Sequence, residues 1–171
     1  MDDIRLVADT DCPREDVKRA YLFSWYCCLR LSDVYALRWK EIDLDGEQYR
    51  MSTVMQKTAA PICLPLSRQA VRWLPERKEA GEEAVIFAGL PAEPNINKVL
   101  AKWVSKAGIL KKITYHCARH TFATMMLTLG ADLYTVSKLL GHANVKTTQI
   151  YAKIVDSKKT EAVNLVDKVF D

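Results

Sequence analysis

His116 and Arg119 stand three residues apart in the run HCARH. On a helix that spacing makes them neighbours on one face. Histidine can hold or move a proton near neutral pH, and arginine offers a planar fork of donors that matches two oxygens of one anion. Side by side on a packed helix, the two can address a single anion; a pair of solvated polar residues would leave the same pattern. All three histidines of the chain fall between residues 116 and 142, in HCARH and LLGH. Cys117 lies beside His116, but adjacent helical residues point about 100° apart, which argues against a Cys–His nucleophile pair. The third histidine, His120, reads as a structural hydrogen-bonding side chain.

Charge adds a direction. The chain carries a net charge of only +4, yet from Asn95 to Lys159 eleven Lys and Arg face just Asp132 and Asp156. A basic half of this kind is the electrostatic footprint of a polyanion, with a solvated Lys-rich surface as the alternative. The five cysteines are odd in number, include the adjacent pair Cys27–Cys28 and lack any CxxC spacing, so they read as reduced thiols rather than as disulfides or a zinc site. No stretch approaches the roughly 18–20 apolar residues of a membrane span. The start MDDIRLVADTD is acidic and lacks the apolar run of a secretory signal, so a cytoplasmic location is expected. Neither a P-loop nor a compact Asp/Glu/His cluster for two metals is present, so no cofactor and no metal are expected.

The elements that must position these residues follow from local signals. The length of 171 residues fits a single domain, 1–171, with residues 1–12 as a linker into a helix opened by Pro13. Val17, Ala20, Tyr21, Ser24 and Cys28 recur on that helix at helical spacing. Ser32 is expected to cap a second short helix through about Lys40. Asp45–Gly46 lies between two β-patterned runs and signals a hairpin; a second turn, around Lys57 to Pro61, leads to Ile62–Leu66. That makes a small antiparallel sheet of about three strands with Lys57 at its tip. Further helices are expected from Ser67 to about Ala80, from Pro94–Asn95 with Ile96, Val99, Leu100, Trp103 and Ala107 on one face, and from Tyr115 to Leu129, ended by Gly130. A short helix from Asp132 to Leu140 stops at Gly141, and another runs from Asn144 to Ile154. Residues 157–171 place Ala162, Val163, Val166, Val169 and Phe170 on an amphipathic tail. On the Tyr115–Leu129 helix the apolar face is Ala118, Phe122, Met125, Met126 and Leu129, from which His116, Arg119 and His120 fall away. The fold class is mainly α with a small three-stranded antiparallel sheet (α+β), and the four tryptophans are assigned to the core.

The run HCARHTFATMMLTLGADLYTVSKLLGHANVKTTQIYAK closely resembles the tyrosine recombinase (phage integrase) family. The family pattern H-x-x-R, then L-G-H, then a tyrosine about nine residues on, maps to His116, Arg119, His142 and Tyr151. Upstream, LRLSDVYALRWKEIDLD looks like the family's first arginine box and assigns Arg30, while the turn QKT resembles the hairpin that carries its catalytic lysine, here Lys57. The resemblance spans about residues 17 to 155, with all six positions holding the expected types in order. It implies the catalytic-domain fold of that family and metal-free transesterification. Tyr151 would be the nucleophile, forming a covalent 3′-phosphotyrosyl link to DNA. Arg30, Arg119 and His142 would stabilise the phosphate as charge builds, Lys57 would be the general acid for the 5′-oxygen, and His116 a general base or orienting group. One departure stands out: the family usually has a small residue and a glycine where Cys27 and Cys28 stand. A slight repacking beside Arg30 is expected.

The resemblance further implies double-stranded DNA as partner, for integration or excision of a mobile element. It implies a tetramer on synapsed DNA with exchange of the C-terminal tail, the isolated chain being a monomer; the tail packing on its own domain is the alternative. Family members usually carry an N-terminal DNA-clamping domain, so the chain is expected to be a fragment of a longer integrase. Two rival functions remain: a non-catalytic DNA-binding module of recombinase descent, and a type IB topoisomerase-like nicking–closing enzyme.

Overall fold

Glu15–Cys27 opens with two acidic residues in its first turn, which complement the positive end of a helix. It buries Val17, Ala20, Tyr21, Leu22, Phe23, Trp25 and Cys27, more than one stripe, as a core helix does. The computed structural model describes residues 2–151. Ahead of that helix, where a linker is expected, Asp2–Asp9 is helical (α1) and sinks Val7 into the core. The Glu15–Cys27 helix is therefore α2; it starts at Glu15, after the N-cap Arg14, and not at Pro13.

Leu31–Ala36 forms α3, shorter than expected and capped from Arg30 rather than Ser32. The reason is non-local. Leu37 turns extended, its carbonyl accepts from Ile86 N–H at 2.9 Å, and Trp39 N–H donates to Ala84 O at 3.1 Å. Backbone pairing with residues 84–86 thus replaces the helix beyond Ala36. A single 3₁₀ turn, Trp39–Glu41, leads into the sheet.

Strands β1 (Ile42–Asp45), β2 (Gln48–Val54) and β3 (Pro61–Pro65) pair antiparallel in that order. Met51 sits opposite Ile42 on one side and Leu64 on the other. Met51, Ile62 and Leu64 are buried, while Pro61, Cys63 and Pro65 alternate outward. The β1–β2 hairpin turns at Gly46, whose φ of +61° suits glycine.

Helix α4 spans only Arg68–Arg72. Ser67 caps it as expected, accepting from Ala70 N–H at 3.2 Å. The anticipated run to Ala80 fails because Pro75 follows two residues after the C-cap Trp73 and disfavours helical Leu74. Helix α5, Glu93–Lys106, buries Ile96, Leu100, Trp103 and Val104. Then come α6, His116–Thr128, and α7, Leu133–Leu139. Asp132 caps α7 by accepting from Thr135 N–H at 2.9 Å.

Val145–Tyr151 is a 3₁₀ helix, not the α-helix expected from Asn144. Asn144 Oδ1 accepts from Lys146 N–H, an Asx turn, and the run Val-Lys-Thr-Thr-Gln-Ile is rich in β-branched residues that favour α-helix weakly. The chain divides into two compact units, Met1–Phe122 and Ala123 onward, with the boundary inside α6. The end of the last expected helix and the amphipathic tail 157–171 lie outside the described residues. Among the described residues no helix is long and apolar enough to cross a membrane.

Candidate active site

In the first unit the site is built at the exit of α2. Cys28 ends that helix in the left-handed conformation (φ +55°, ψ +19°), which turns the chain so that Leu29 and Arg30 lead directly into α3. An L-residue pays roughly 1–2 kcal/mol to sit there. Cys28 keeps the pose while only 1 % exposed, so the thiol is accommodated by packing and not by solvent. Burial pushes that thiol up to about 12, which holds it protonated.

The turned carbonyl of Cys28 accepts from Arg119 Nη1 at 2.7 Å. Arg119 was expected to fall away from the apolar face of α6; instead it is 4 % exposed and bonded to the end of α2. Leu129, assigned to that face, is 61 % exposed. A buried guanidinium with one nitrogen fixed on a carbonyl has few orientations left, which suits a group that must meet a phosphate without rearranging.

A residue that the sequence reading passed over ties two of the assigned positions together. Asp33 is buried, and its Oδ2 accepts from Arg30 N–H at 3.2 Å while its Oδ1 accepts from Gln56 N–H at 2.8 Å. The first bond is the reciprocal half of a capping box, the acidic N3 residue reaching back to the N-cap N–H. The second crosses to the β2–β3 turn and pins the residue before Lys57. That turn is closed by Met55 N–H on Ala60 O and Ala59 N–H on Met55 O, and Met55 is fully buried. Arg30 Nη1 lies 3.7 Å from Met55 Sδ. Lys57 stands exposed at the tip, as expected. The signal for Asp33 was its place three residues after Arg30, the spacing of a capping box.

The start of α6 is held as firmly. Tyr115 N–H donates to Asn97 Oδ1 at 2.9 Å, and its buried hydroxyl sits 2.7 Å from both Ser24 Oγ and Ala20 O on α2. His116 follows, with its ring exposed and edge-on to His120 at 4.6 Å. Partial desolvation lowers its pKa first, and then the charges of His120, Arg119, Arg30 and Lys57 lower it further. Three assigned residues of the first unit, Arg119, Arg30 and Lys57, therefore each act electrostatically on His116. Both effects favour the neutral imidazole, the form that can accept a proton.

The second unit carries His142 and Tyr151. Helix α7 ends in a Schellman motif: Gly141 N–H bonds Lys138 O at 2.9 Å and His142 N–H bonds Ser137 O at 3.0 Å. Gly141 has a φ of +59°, so the LLGH run places His142 at a defined position past the helix end. Tyr151 closes the 3₁₀ helix and is 8 % exposed.

Residues 4–158 match the model described as the phage integrase family. The chain belongs to the phage integrase family. Among curated relatives of this integrase-family chain, the tyrosine recombinase XerC of Salmonella typhi is 36 % identical over 167 residues, covering 90 % of this chain and 54 % of that protein. XerC of Yersinia pestis is 37 % identical over 136 residues, covering 74 % and 44 %. The chain thus spans about half the length of the curated relatives it matches. Among solved structures, the XerH site-specific recombinase in its post-cleavage complex with a palindromic difH substrate matches with a TM-score of 0.73 at 18 % identity, covering 96 % of this chain and 50 % of that one. The catalytic domain of bacteriophage HP1 integrase matches with a TM-score of 0.67 at 22 % identity, covering 95 % and 90 %. The integrase-family chain has the tyrosine recombinase catalytic-domain fold.

Proposed function

We propose that this chain cuts and rejoins DNA at specific sites, through a covalent 3′-phosphotyrosyl intermediate and without metal. The observation that carries the reading is the arrangement in the first unit. Arg119 is fixed on the Cys28 carbonyl, Asp33 joins Arg30 to the Lys57 turn, and all three cations act on His116. Such a set neutralises an oxyanion and supplies a proton donor beside it, which is what phosphodiester exchange requires.

In the proposed reaction the Tyr151 oxygen attacks phosphorus and the bond to the 5′-oxygen breaks. Lys57 protonates that leaving oxygen. His116, whose lowered pKa favours the neutral form, takes the phenolic proton or orients the phosphate, and Arg30, Arg119 and His142 hold the non-bridging oxygens. The phosphotyrosyl bond conserves the energy of the phosphodiester, so religation is the same exchange in reverse. Double-stranded DNA is the proposed substrate, in the cytoplasm, for integration or excision of a mobile element. A tetramer on paired sites, with exchange of residues 157–171, is the proposed assembly.

A duplex nicked beside the cleavage site traps the intermediate, because the freed end diffuses away. The chain should then form a covalent protein–DNA adduct, and Tyr151→Phe should form none. No adduct with the parent chain on any candidate duplex sinks the proposal; relaxed plasmid without recombinant product would redirect it to a nicking–closing enzyme.

A further inference from the structure

The 3₁₀ helix that ends in Tyr151 holds one polar contact that the proposed reaction does not use. Thr148 is fully buried, and its Oγ1 lies 2.9 Å from Nδ1 of His142. We propose that Thr148 is a positioning residue, which donates to His142 Nδ1 and so fixes the ring as the Nε2–H tautomer. The inference rests on the reading of His142 as a phosphate donor and says which of its nitrogens does the donating.

Donor accounting decides the direction of the bond. A threonine hydroxyl has one proton to give, and a buried proton without an acceptor is costly. Two threonines of α6 place theirs on the carbonyl four residues back, Thr121 on Cys117 at 2.8 Å and Thr128 on Thr124 at 2.9 Å, and Thr135 of α7 places its own on the Asp132 carboxylate at 2.6 Å. Thr148 does neither. Among the described residues its hydroxyl has His142 as its hydrogen-bond partner, so its proton goes to Nδ1. A neutral imidazole that accepts at Nδ1 carries its own proton on Nε2. Were Nδ1 protonated instead, it would donate to Thr148 Oγ1, and the buried hydroxyl proton would have no acceptor there.

The same contact reaches the nucleophile's helix. In a 3₁₀ helix residues i and i+3 eclipse, so Thr148 shares a face with Tyr151, and both are buried. The backbone of His142 is already set by the end of α7, through its bond to Ser137 O. Thr148 therefore ties the ring of the donor histidine to the turn that carries the attacking tyrosine.

The test separates this inference from the reaction it serves. The chain has three histidines, so nitrogen-15 spectra of histidine-labelled protein resolve each ring, and His142→Gln assigns the signal. Without DNA and near neutral pH, His142 should be the Nε2–H tautomer. Thr148→Val, similar in shape but without the hydroxyl, should give a mixed tautomer. It should also slow adduct formation about ten-fold or more at unchanged DNA affinity, as loss of an orienting partner does elsewhere. Thr148→Ser should restore both. A parent ring protonated on Nδ1, or a Thr148→Val ring unchanged in tautomer, overturns the inference, and so does a mixed tautomer with unchanged cleavage. The parent spectrum decides alone if the valine variant does not fold. A parent chain that shows the Nε2–H tautomer yet forms no adduct counts against the proposed reaction and leaves the tautomer assignment standing.

Discussion

Asp33 serves two backbone donors from different elements with one buried carboxylate, and so joins the proposed catalytic Arg30, at the N-cap of α3, to the turn that carries the proposed catalytic Lys57. Replacing it with alanine strips both Arg30 N–H and Gln56 N–H of their acceptor. Both bonds are part-buried, so water makes up some of the loss and each costs at most about 1–3 kcal/mol. Asp33→Ala should lower the melting temperature and cut the rate of adduct formation by more than the loss of DNA affinity, since Lys57 and Arg30 lose their common anchor. Asp33→Asn keeps one acceptor oxygen and should fall between parent and alanine. Equal losses of rate and affinity would show that Asp33 only stabilises the fold. Arg119 teaches the same lesson from the other side. A helical wheel sends it away from the apolar face of α6, but the left-handed Cys28 offers a carbonyl that draws it inward. Glycine would adopt that backbone freely, whereas cysteine bears the strain and gains back buried contact, so two opposed effects of about 1 kcal/mol each stand at one position.

Element ends decide where His142 goes. The Schellman closure of α7 needs a positive φ at Gly141, and a Cβ there costs on the order of 1 kcal/mol. Gly141→Ala should lower the melting temperature by several degrees, and it should slow adduct formation because His142 is the next residue. A melting point unchanged within a degree would mean that the closure is not under strain. Such ends are the part of the fold most legible in the sequence. Gly141 as a helix stop, Ser67 as a cap, and Asp45–Gly46 as a hairpin all rest on local backbone chemistry, and all form where expected. Non-local pairing was not legible. Nothing near Leu37 foretells that residues 84–86 will take its backbone bonds and end α3 early. The candidate residues themselves were readable as types in order, yet the contacts that support them were not: Asp33 reaches Gln56 across 23 residues, and Thr148 meets His142 across 6. The 3₁₀ form of Val145–Tyr151 was likewise hidden, because apolar spacing over one or two turns does not separate it from an α-helix.

At the scale of the whole chain, the decisive quantity is the distribution of charge. The net of +4 is small, but Lys98, Lys102, Lys106, Lys111, Lys112, Lys138 and Lys146 are all exposed. Among the described residues two ion pairs hold members of this set: Lys106 lies 3.7 Å from Asp11, and Lys111 lies 3.0 Å from Asp3. Exposed pairs of this kind are weak and are surrendered readily to a phosphate. If about four lysines neutralise phosphates, counterion release gives a slope near −3.6 in log affinity against log salt. The dissociation constant for duplex DNA should then rise about 100-fold between roughly 50 and 200 mM salt. Lys112→Ala should flatten the slope by about one if that side chain reaches a phosphate, and should weaken binding to all duplex sequences alike. Fluorescence anisotropy across a salt series measures both quantities. Affinity that hardly responds to salt would mean that the basic stretch is only a solvated surface. Binding would then have to come from base-edge contacts, which carry sequence preference instead of the uniform attraction expected here.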